Sequence, residues 1–174
     1  DLITFAKAVT NGFQPLGGVL VSDKVASVIT AKGGEFAHGF TYSGHPIACA
    51  AAMATLDIMQ SENIFERVRD YAAPYMQKRW AELGEHPIVG HTRGLGMFGS
   101  LELVRNKETR ERLGPDQVSG GVCRDLAIEN GLVMRAVGDS MIISPPLICT
   151  DTEIDTLIER ATLALDLTAE HFSL

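Results

Sequence analysis

The sequence contains neither a long apolar run nor a concentration of basic residues. No segment approaches the roughly 18 uninterrupted apolar residues that a membrane-spanning helix needs. Asp and Glu number 22 against 15 Lys and Arg, which gives a formal net charge of −7. A protein of this charge, without a basic stripe, is not expected to bind nucleic acid or an anionic membrane surface.

Cysteine is scarce, and the histidines show no ligand spacing. The three cysteines, Cys49, Cys123 and Cys149, are far apart and lie in apolar stretches. They are expected to be reduced core thiols of a cytoplasmic protein, because no spacing suggests a disulfide framework. The five histidines have no HxxxH or similar arrangement, so no metal site is predicted.

The composition is otherwise that of a protein with a substantial core. Of the 174 residues, 45% are hydrophobic, which suffices for one domain or for one domain and part of another. The pattern alternates between helices and strands. We predict a short buried strand at residues 19–21 and a helix of small residues from Pro46 that can be buried on most faces.

The second half of the chain predicts further helices and strands. A helix beginning with a capping box of Asn63 and Glu66 should break near Ala73, because Pro74 follows. Strands are predicted at residues 88–92 and 97–104, and a helix at 118–130. A hairpin with a Gly-Asp turn joins residues 132–137 to 141–144, and a last helix opens on a second capping box at residues 150–153.

Lys7 is the first candidate functional residue. It follows a short apolar run and precedes a turn-rich segment at residues 11–18. Burial of a lysine at the end of such a run favours the neutral amine, which is the form that makes Schiff bases with carbonyl compounds. From the residues alone, a lysine that extends its amine into water from a strand end remains the alternative.

A polar loop ahead of the helix at Pro46 is the second candidate. Helix N-termini present free N–H groups and the positive end of the helix dipole, and Thr41 and Ser43 add hydroxyls in front of them. This arrangement suits a phosphate. Capping of the helix by Ser43 is the alternative.

Arg135 is the third candidate. Both faces of its predicted strand are apolar, so its guanidinium needs an anion partner or a path to water. A structural ion pair with an Asp or Glu is one way to meet that need.

Three separated segments resemble class III aminotransferases. DLITFAKAVTNG (residues 1–12) resembles the C-terminal half of the family signature, whose first half carries an aspartate that pairs with the cofactor's pyridine nitrogen. GFTYSGHP (residues 39–46) and LVMRAVGDSMIISPPL (residues 132–147) resemble two further family segments, in the same order. The resemblance runs along essentially the whole chain and implies the C-terminal part of a larger enzyme.

The resemblance implies the α/β fold of fold-type-I pyridoxal phosphate enzymes. Residues 1–60 would end the large domain, and residues 61–174 would form the small α+β domain. Lys7 would hold pyridoxal 5'-phosphate as an internal aldimine. Thr41, with the backbone of Phe40, would reach across a dimer interface to the phosphate. Arg135 would bind the substrate carboxylate.

The activity implied is a ping-pong transamination. The loop at residues 39–46 and the segment LVMRAVGD are most similar to those of the ω-transaminases. These enzymes move an amino group from a primary amine, such as putrescine or an ω-amino acid, to a keto acid such as pyruvate. The expected assembly is a homodimer or tetramer, and Phe13, Tyr42 and Trp80 are candidates for substrate contact. Alternatives are 4-aminobutyrate or ornithine transamination, or an aminomutase. For the isolated chain, the alternative is an inactive fragment or a dimerisation piece with an exposed apolar face.

Overall fold

The computed structural model describes residues 1–114 and 118–174. By its internal contacts the chain divides into two compact units, Asp1–Asn63 and Ile64–Leu174. The first unit contains β1 (Leu2–Ala6), β2 (Gly17–Val21), α1 (Asp23–Lys32) and α2 (Pro46–Ser61). The second unit contains α3 (Ile64–Arg67), α4 (Ala73–Glu82), β3 (Val89–Leu95), β4 (Phe98–Leu103), α5 (Val118–Glu129), β5 (Arg135–Val137), β6 (Ser140–Ile143) and α6 (Asp151–His171).

The first unit is built on an antiparallel hairpin of β1 and β2, in which Leu2 pairs with Val21 and Ala6 with Gly17. The predicted strand at residues 19–21 is confirmed, but its predicted burial is wrong. Val19 is 54% exposed and Leu20 is 58% exposed, because β1 and β2 pair only with each other and both faces of the hairpin stay uncovered. The expected exposed apolar face is therefore present.

The predicted helix start at Pro46 is confirmed in the first unit. Ser22 is the N-cap of α1 and Gly33 its C-cap, while Pro46 occupies the first turn of α2. The predicted burial of α2 on most faces is wrong. Its buried residues are Ala48 and Ala52, one turn apart, so the helix packs within this unit along one narrow stripe.

The second unit has an antiparallel sheet in the order β3-β4-β6-β5, and it carries the hydrophobic core. α4 contacts β3, α5 contacts β5 and β6, and α6 packs on both helices. The predicted strands are confirmed with small shifts at their ends. The largest fully buried core side chains are Trp80, Met76, Ile88, Leu101, Leu103, Leu113, Met134, Met141, Ile154 and Leu165.

Trp80 is part of this core. Its side chain is 1% exposed, and its indole N–H donates to the carbonyl oxygen of Ser100 at 3.1 Å. Trp80 is therefore not available for the substrate contact for which it was a candidate, because the sheet covers the ring.

The helical stretch after residue 63 changes type just before Pro74. α3 is followed by a π-helical turn at Val68–Ala72, and α4 begins at Ala73 with Pro74 in its first turn. The predicted break near Ala73 is confirmed, since proline has no N–H and its ring would meet a carbonyl four residues earlier. The predicted cap at Asn63 is wrong: its φ is +52°, whereas an N-cap residue is extended.

The C-terminal elements follow the predicted signals. Gly131, with φ +78°, follows α5, and the hairpin of β5 and β6 turns at Gly138 and Asp139. α6 begins with the predicted capping box of Thr150 and Glu153. This helix buries one stripe of residues, which runs from Ile154 to Thr168.

The cysteines are less uniform than expected. All three are free thiols, but only Cys123 is a core residue, and burial raises its pKa. Cys149 is half-buried, and Cys49 is exposed because it lies on the uncovered side of α2. In the described part of the chain, no helix combines the length and apolarity needed to cross a membrane.

One surface carboxylate links α4 to α6 and gives a pH-dependent prediction. Arg79 Nε donates to Asp155 Oδ1 at 2.7 Å, and Tyr75 Oη donates to the same oxygen at 2.8 Å. The pKa of Asp155 lies below the ordinary 3.8. The hydrogen bond from Arg79 is the main cause, and the hydrogen bond from Tyr75 adds to it. The folded state thus favours the carboxylate, which stabilises it at neutral pH and ceases to do so as the pH falls through the lowered pKa.

We therefore expect Asp155→Asn to flatten the acid side of the pH–stability profile. The measurement is the thermal midpoint of the 174-residue chain, followed by Trp80 fluorescence, from about neutral pH down to about pH 2. Asp125→Asn is the control, since Asp125 is exposed and pairs with its sequence neighbour Arg124. An unchanged acid slope in Asp155→Asn would contradict the assignment.

Candidate functional site

Lys7 begins the 3-10 turn Lys7–Thr10 that directly follows β1. Its φ is +55°, an uncommon conformation for a residue with a Cβ and one found at functional sites. Within residues 1–114 and 118–174, its Nζ has no ion-pair or hydrogen-bond partner. Of the two possibilities considered for Lys7, a buried amine and an amine that extends into water, this chain shows the second: the residue is exposed, because the strand before it is uncovered.

Lys7 lines an open concavity of about 800 Å³ formed by residues 6–17. The backbone that lines this concavity turns at Asn11 and Gly12, whose φ values are +49° and +81°. Thr10 is buried beneath it, and its hydroxyl donates to the carbonyl oxygen of Gln14 at 2.5 Å. Thr10 was missed from the sequence, although a threonine three residues after Lys7 in a turn is a signal that could have pointed to it.

The loop before α2 carries Phe40 and Thr41, both exposed. The N-cap of α2 is His45, whereas the Ser43 hydroxyl accepts a hydrogen bond from the Phe40 N–H at 3.0 Å. Capping of the helix by Ser43 is therefore wrong, because its oxygen closes the loop instead. The Thr41 hydroxyl has no hydrogen-bond partner among the described residues, so it is available to a ligand.

Arg135 lies at the start of β5, in register with Ile142 of β6. Met134 is buried, whereas Val133 and Arg135 are exposed, so the strand has one core face and one open face. Of the two expected ways to accommodate the guanidinium, an anion partner or a path to water, the structure shows the second. No ion pair of Arg135 exists within the described residues, so the guanidinium reaches water.

Lys7, Phe40 and Thr41 belong to the first unit, and Arg135 to the second. Within the first unit, the turn Lys7–Thr10 contacts α2, the helix that follows the Thr41 loop. No group of three potential metal ligands occurs in the described ranges.

The chemistry of these groups fits a ligand that carries a carbonyl and a phosphate. A lysine amine without a partner can condense with an aldehyde. A free hydroxyl in front of a helix N-terminus can donate to a phosphate. These features fit the class of pyridoxal-phosphate-dependent enzymes.

The chain belongs to the class-III aminotransferase family, whose profile, Aminotransferase class-III, matches residues 1–165. Enzymes of this family depend on pyridoxal phosphate. A putrescine–pyruvate aminotransferase of Pseudomonas aeruginosa is 53% identical over 169 residues, which are 97% of this chain and 37% of that protein. Gamma aminobutyrate transaminase 1 of Solanum lycopersicum is 38% identical over 161 residues, 91% of this chain and 31% of that protein.

Solved transaminases have the same fold. A thermostable (S)-enantioselective omega-transaminase of Thermomicrobium roseum has a TM-score of 0.89 and 38% identity, covering 97% of this chain and 37% of that one. The PMP-bound aminotransferase of Vibrio fluvialis has a TM-score of 0.87 and 32% identity, covering 97% and 38%. The expected family and the fold-type-I architecture are thus confirmed. The chain spans about a third of the length of the curated relatives it matches.

Proposed function

We propose that the gene product containing this chain transfers an amino group from a primary amine to a keto acid. The donor is putrescine, another diamine or an ω-amino acid, and the acceptor is a keto acid such as pyruvate. The observation that carries the proposal is the position of Lys7 at the edge of a concavity, on a positive-φ residue whose amine has no partner among the residues that the structure describes. The 53% identity to a putrescine–pyruvate aminotransferase supports the choice of substrates.

Lys7 has two tasks in this proposal. Its Nζ would hold the cofactor, which supplies an electron sink for the negative charge that develops when the donor loses a proton. As a free amine, the same Nζ would take that proton from the amino-bearing carbon of the donor.

Phe40 and Thr41 would serve the cofactor's phosphate. The exposed hydroxyl of Thr41 and the backbone of this loop lie ahead of the N-terminus of α2, where the helix dipole favours an anion. We propose that the loop serves the active site of a second subunit, which makes a homodimer or a tetramer built from such dimers the working form. The two units would then be the end of a large domain and a small C-terminal domain, in a protein of the cytoplasm.

Arg135 would bind the carboxylate of the keto acid. Its replacement should therefore affect the step that uses the keto acid and leave the step that uses the amine donor unchanged. We expect Arg135→Lys, which cannot form the bidentate contact, to raise the KM for pyruvate by about tenfold to a hundredfold. The KM for putrescine should not change, because putrescine has no carboxylate. Steady-state kinetics with both substrates is the measurement, and an aldehyde acceptor is the internal control. Equal effects on pyruvate and on the aldehyde would refute this role.

A second candidate is another class III activity. Gamma aminobutyrate transaminase 1 of Solanum lycopersicum is 38% identical to this chain, and a diaminobutyrate–2-oxoglutarate transaminase of Halomonas elongata is 36% identical. Ornithine transamination and aminomutase activity belong to the same group of alternatives. Initial rates of the purified gene product with putrescine, 4-aminobutyrate, ornithine and 2,4-diaminobutyrate, each paired with pyruvate and with 2-oxoglutarate, test the proposal. The fastest rate is expected with putrescine and pyruvate, and a preference for 4-aminobutyrate or 2-oxoglutarate would select the alternative.

The isolated 174-residue chain is a separate case. Lys7 and the hairpin before it are uncovered, so the site lacks the dry surroundings that proton transfer at a lysine amine requires. We propose that the chain alone is inactive and acts at most as a dimerisation piece. Turnover by the purified chain would refute this.

A further inference from the structure

We propose that Thr10 positions Lys7 through a hydroxyl that closes the turn on which the lysine stands. This inference rests on the proposed function of Lys7. Thr10 is 1% exposed and is the one buried residue of the turn Lys7–Thr10. Its Oγ1 donates to the carbonyl oxygen of Gln14 at 2.5 Å and lies 3.5 Å from the carbonyl oxygen of Lys7.

The hydroxyl bridges Thr10 and Gln14, both within the segment that lines the concavity. Backbone hydrogen bonds within this segment extend only as far as Phe13. Asn11 N–H donates to Ala8 O, and Phe13 N–H donates to Thr10 O, both at 3.0 Å. The bond from Thr10 reaches Gln14, one residue farther. Without it, the segment after Thr10 has no side-chain bond that fixes where it returns toward β2.

The backbone here needs such a constraint. Lys7 at φ +55° and Asn11 at φ +49° are both in the left-handed region, which strains the lysine and which asparagine adopts more readily. Strained residues of this kind persist only where the surrounding contacts over-determine them. The buried hydroxyl supplies one of those contacts, so its loss lets the turn relax and changes the direction in which the Lys7 side chain leaves the chain.

A purely structural role predicts a different outcome. A buried threonine whose hydroxyl bonds a carbonyl contributes to stability wherever it occurs. The Thr10 bond, however, spans residues that line the same concavity as Lys7. Loss of positioning should therefore appear as weaker capture of the cofactor and slower turnover in protein that is still folded.

The experiment compares three variants of the complete gene product. Thr10→Val removes the hydroxyl and keeps the shape, and Thr10→Ser keeps the hydroxyl. Thr55→Val is the matched control, because half-buried Thr55 also donates to a backbone carbonyl, Ala51 O at 2.9 Å, but within α2. The readouts are the affinity for pyridoxal phosphate, the rate of borohydride-trapped labelling of Lys7, kcat and KM for putrescine, and the thermal midpoint of the cofactor-free protein.

In Thr10→Val, we expect affinity, labelling rate and kcat each to fall about tenfold, the loss expected for one buried hydrogen bond. The KM for putrescine should not change, Thr10→Ser should stay within about threefold of the wild type, and Thr55→Val should match it. If Thr10→Val does not fold, Thr10→Cys replaces it, since a thiol is a weaker donor, and the same order of effects is expected.

Two results would overturn the inference, and they are distinguishable. If Thr10→Val melts earlier but captures the cofactor like the wild type, Thr10 is only structural and the proposed function stands. If the wild type itself takes no label on Lys7, the proposed function fails, and the inference fails with it.

Discussion

Lys7→Arg is expected to lower transamination by at least about a thousandfold, which is within the range that acid–base groups contribute. Arginine keeps the positive charge and most of the length, but it is never deprotonated in proteins and cannot condense with an aldehyde. It can therefore neither hold the cofactor covalently nor take the proton from the donor carbon. The measurement is single-turnover and steady-state transamination by the purified gene product.

Lys32→Arg is the matched control for this change. Lys32 is an exposed lysine of the same unit, in the last turn of α1, and it lies outside the concavity. We expect it to match the wild type in activity and folding. A Lys7→Arg enzyme that keeps more than about a tenth of the wild-type rate would contradict the assignment of both tasks to Lys7.

Gly120→Ala is expected to lower the stability of the second unit by about 2–4 kcal/mol. A Cβ at Gly120 would overlap the carbonyl oxygen of Gly138, which is backbone and cannot rotate away. Gly120 is where α5 meets the turn between β5 and β6, and the neighbouring Ser119 hydroxyl donates to Asp139 Oδ1 at 2.5 Å. The substitution would therefore separate the helix from the hairpin that carries Arg135.

Gly121→Ala is the matched control because it changes the next residue of the same helix. A Cβ there meets nothing within 4 Å. Alanine has the higher helix propensity, so this variant should gain about 0.5–1 kcal/mol. Urea unfolding of the chain, followed by the fluorescence of its one tryptophan, Trp80, measures both variants. Equal stability of the two variants would refute the contact between Gly120 and Gly138.

The second unit was largely predictable from the sequence. Its helix boundaries depend on local chemistry, such as the capping box at Thr150 and the glycine after α5, and its strands have the alternation of a half-buried sheet. The π-helical turn was not predictable. Pro74 shows that a helical hydrogen bond must be lost but does not determine how the preceding turn accommodates the loss.

Burial in the first unit could not be predicted in this way. The apolar residues of β1 and β2 have the composition of a buried strand, but burial depends on what packs against the hairpin, and that partner is not encoded locally. The same reason explains why Lys7 and Cys49 are exposed. Composition gives the preference of a residue for an apolar environment, while only the packing shows whether that environment exists.

The residues of the candidate site were also predictable only in part. Lys7, Thr41 and Arg135 were identified by motif resemblance, and their roles remain predictions. Thr10 was missed because it resembles an ordinary turn residue in the sequence. Its significance lies in a hydrogen bond to Gln14 that only coordinates reveal.

The most direct test of the account is to locate the cofactor on the polypeptide. The complete gene product, saturated with pyridoxal phosphate, is reduced with borohydride and digested, and the pyridoxyl group is mapped by mass spectrometry. The account predicts a single label on Lys7, with none on Lys24 or Lys32. A protein that carries no label on Lys7 under these conditions would contradict the account and leave Lys7 as a surface lysine.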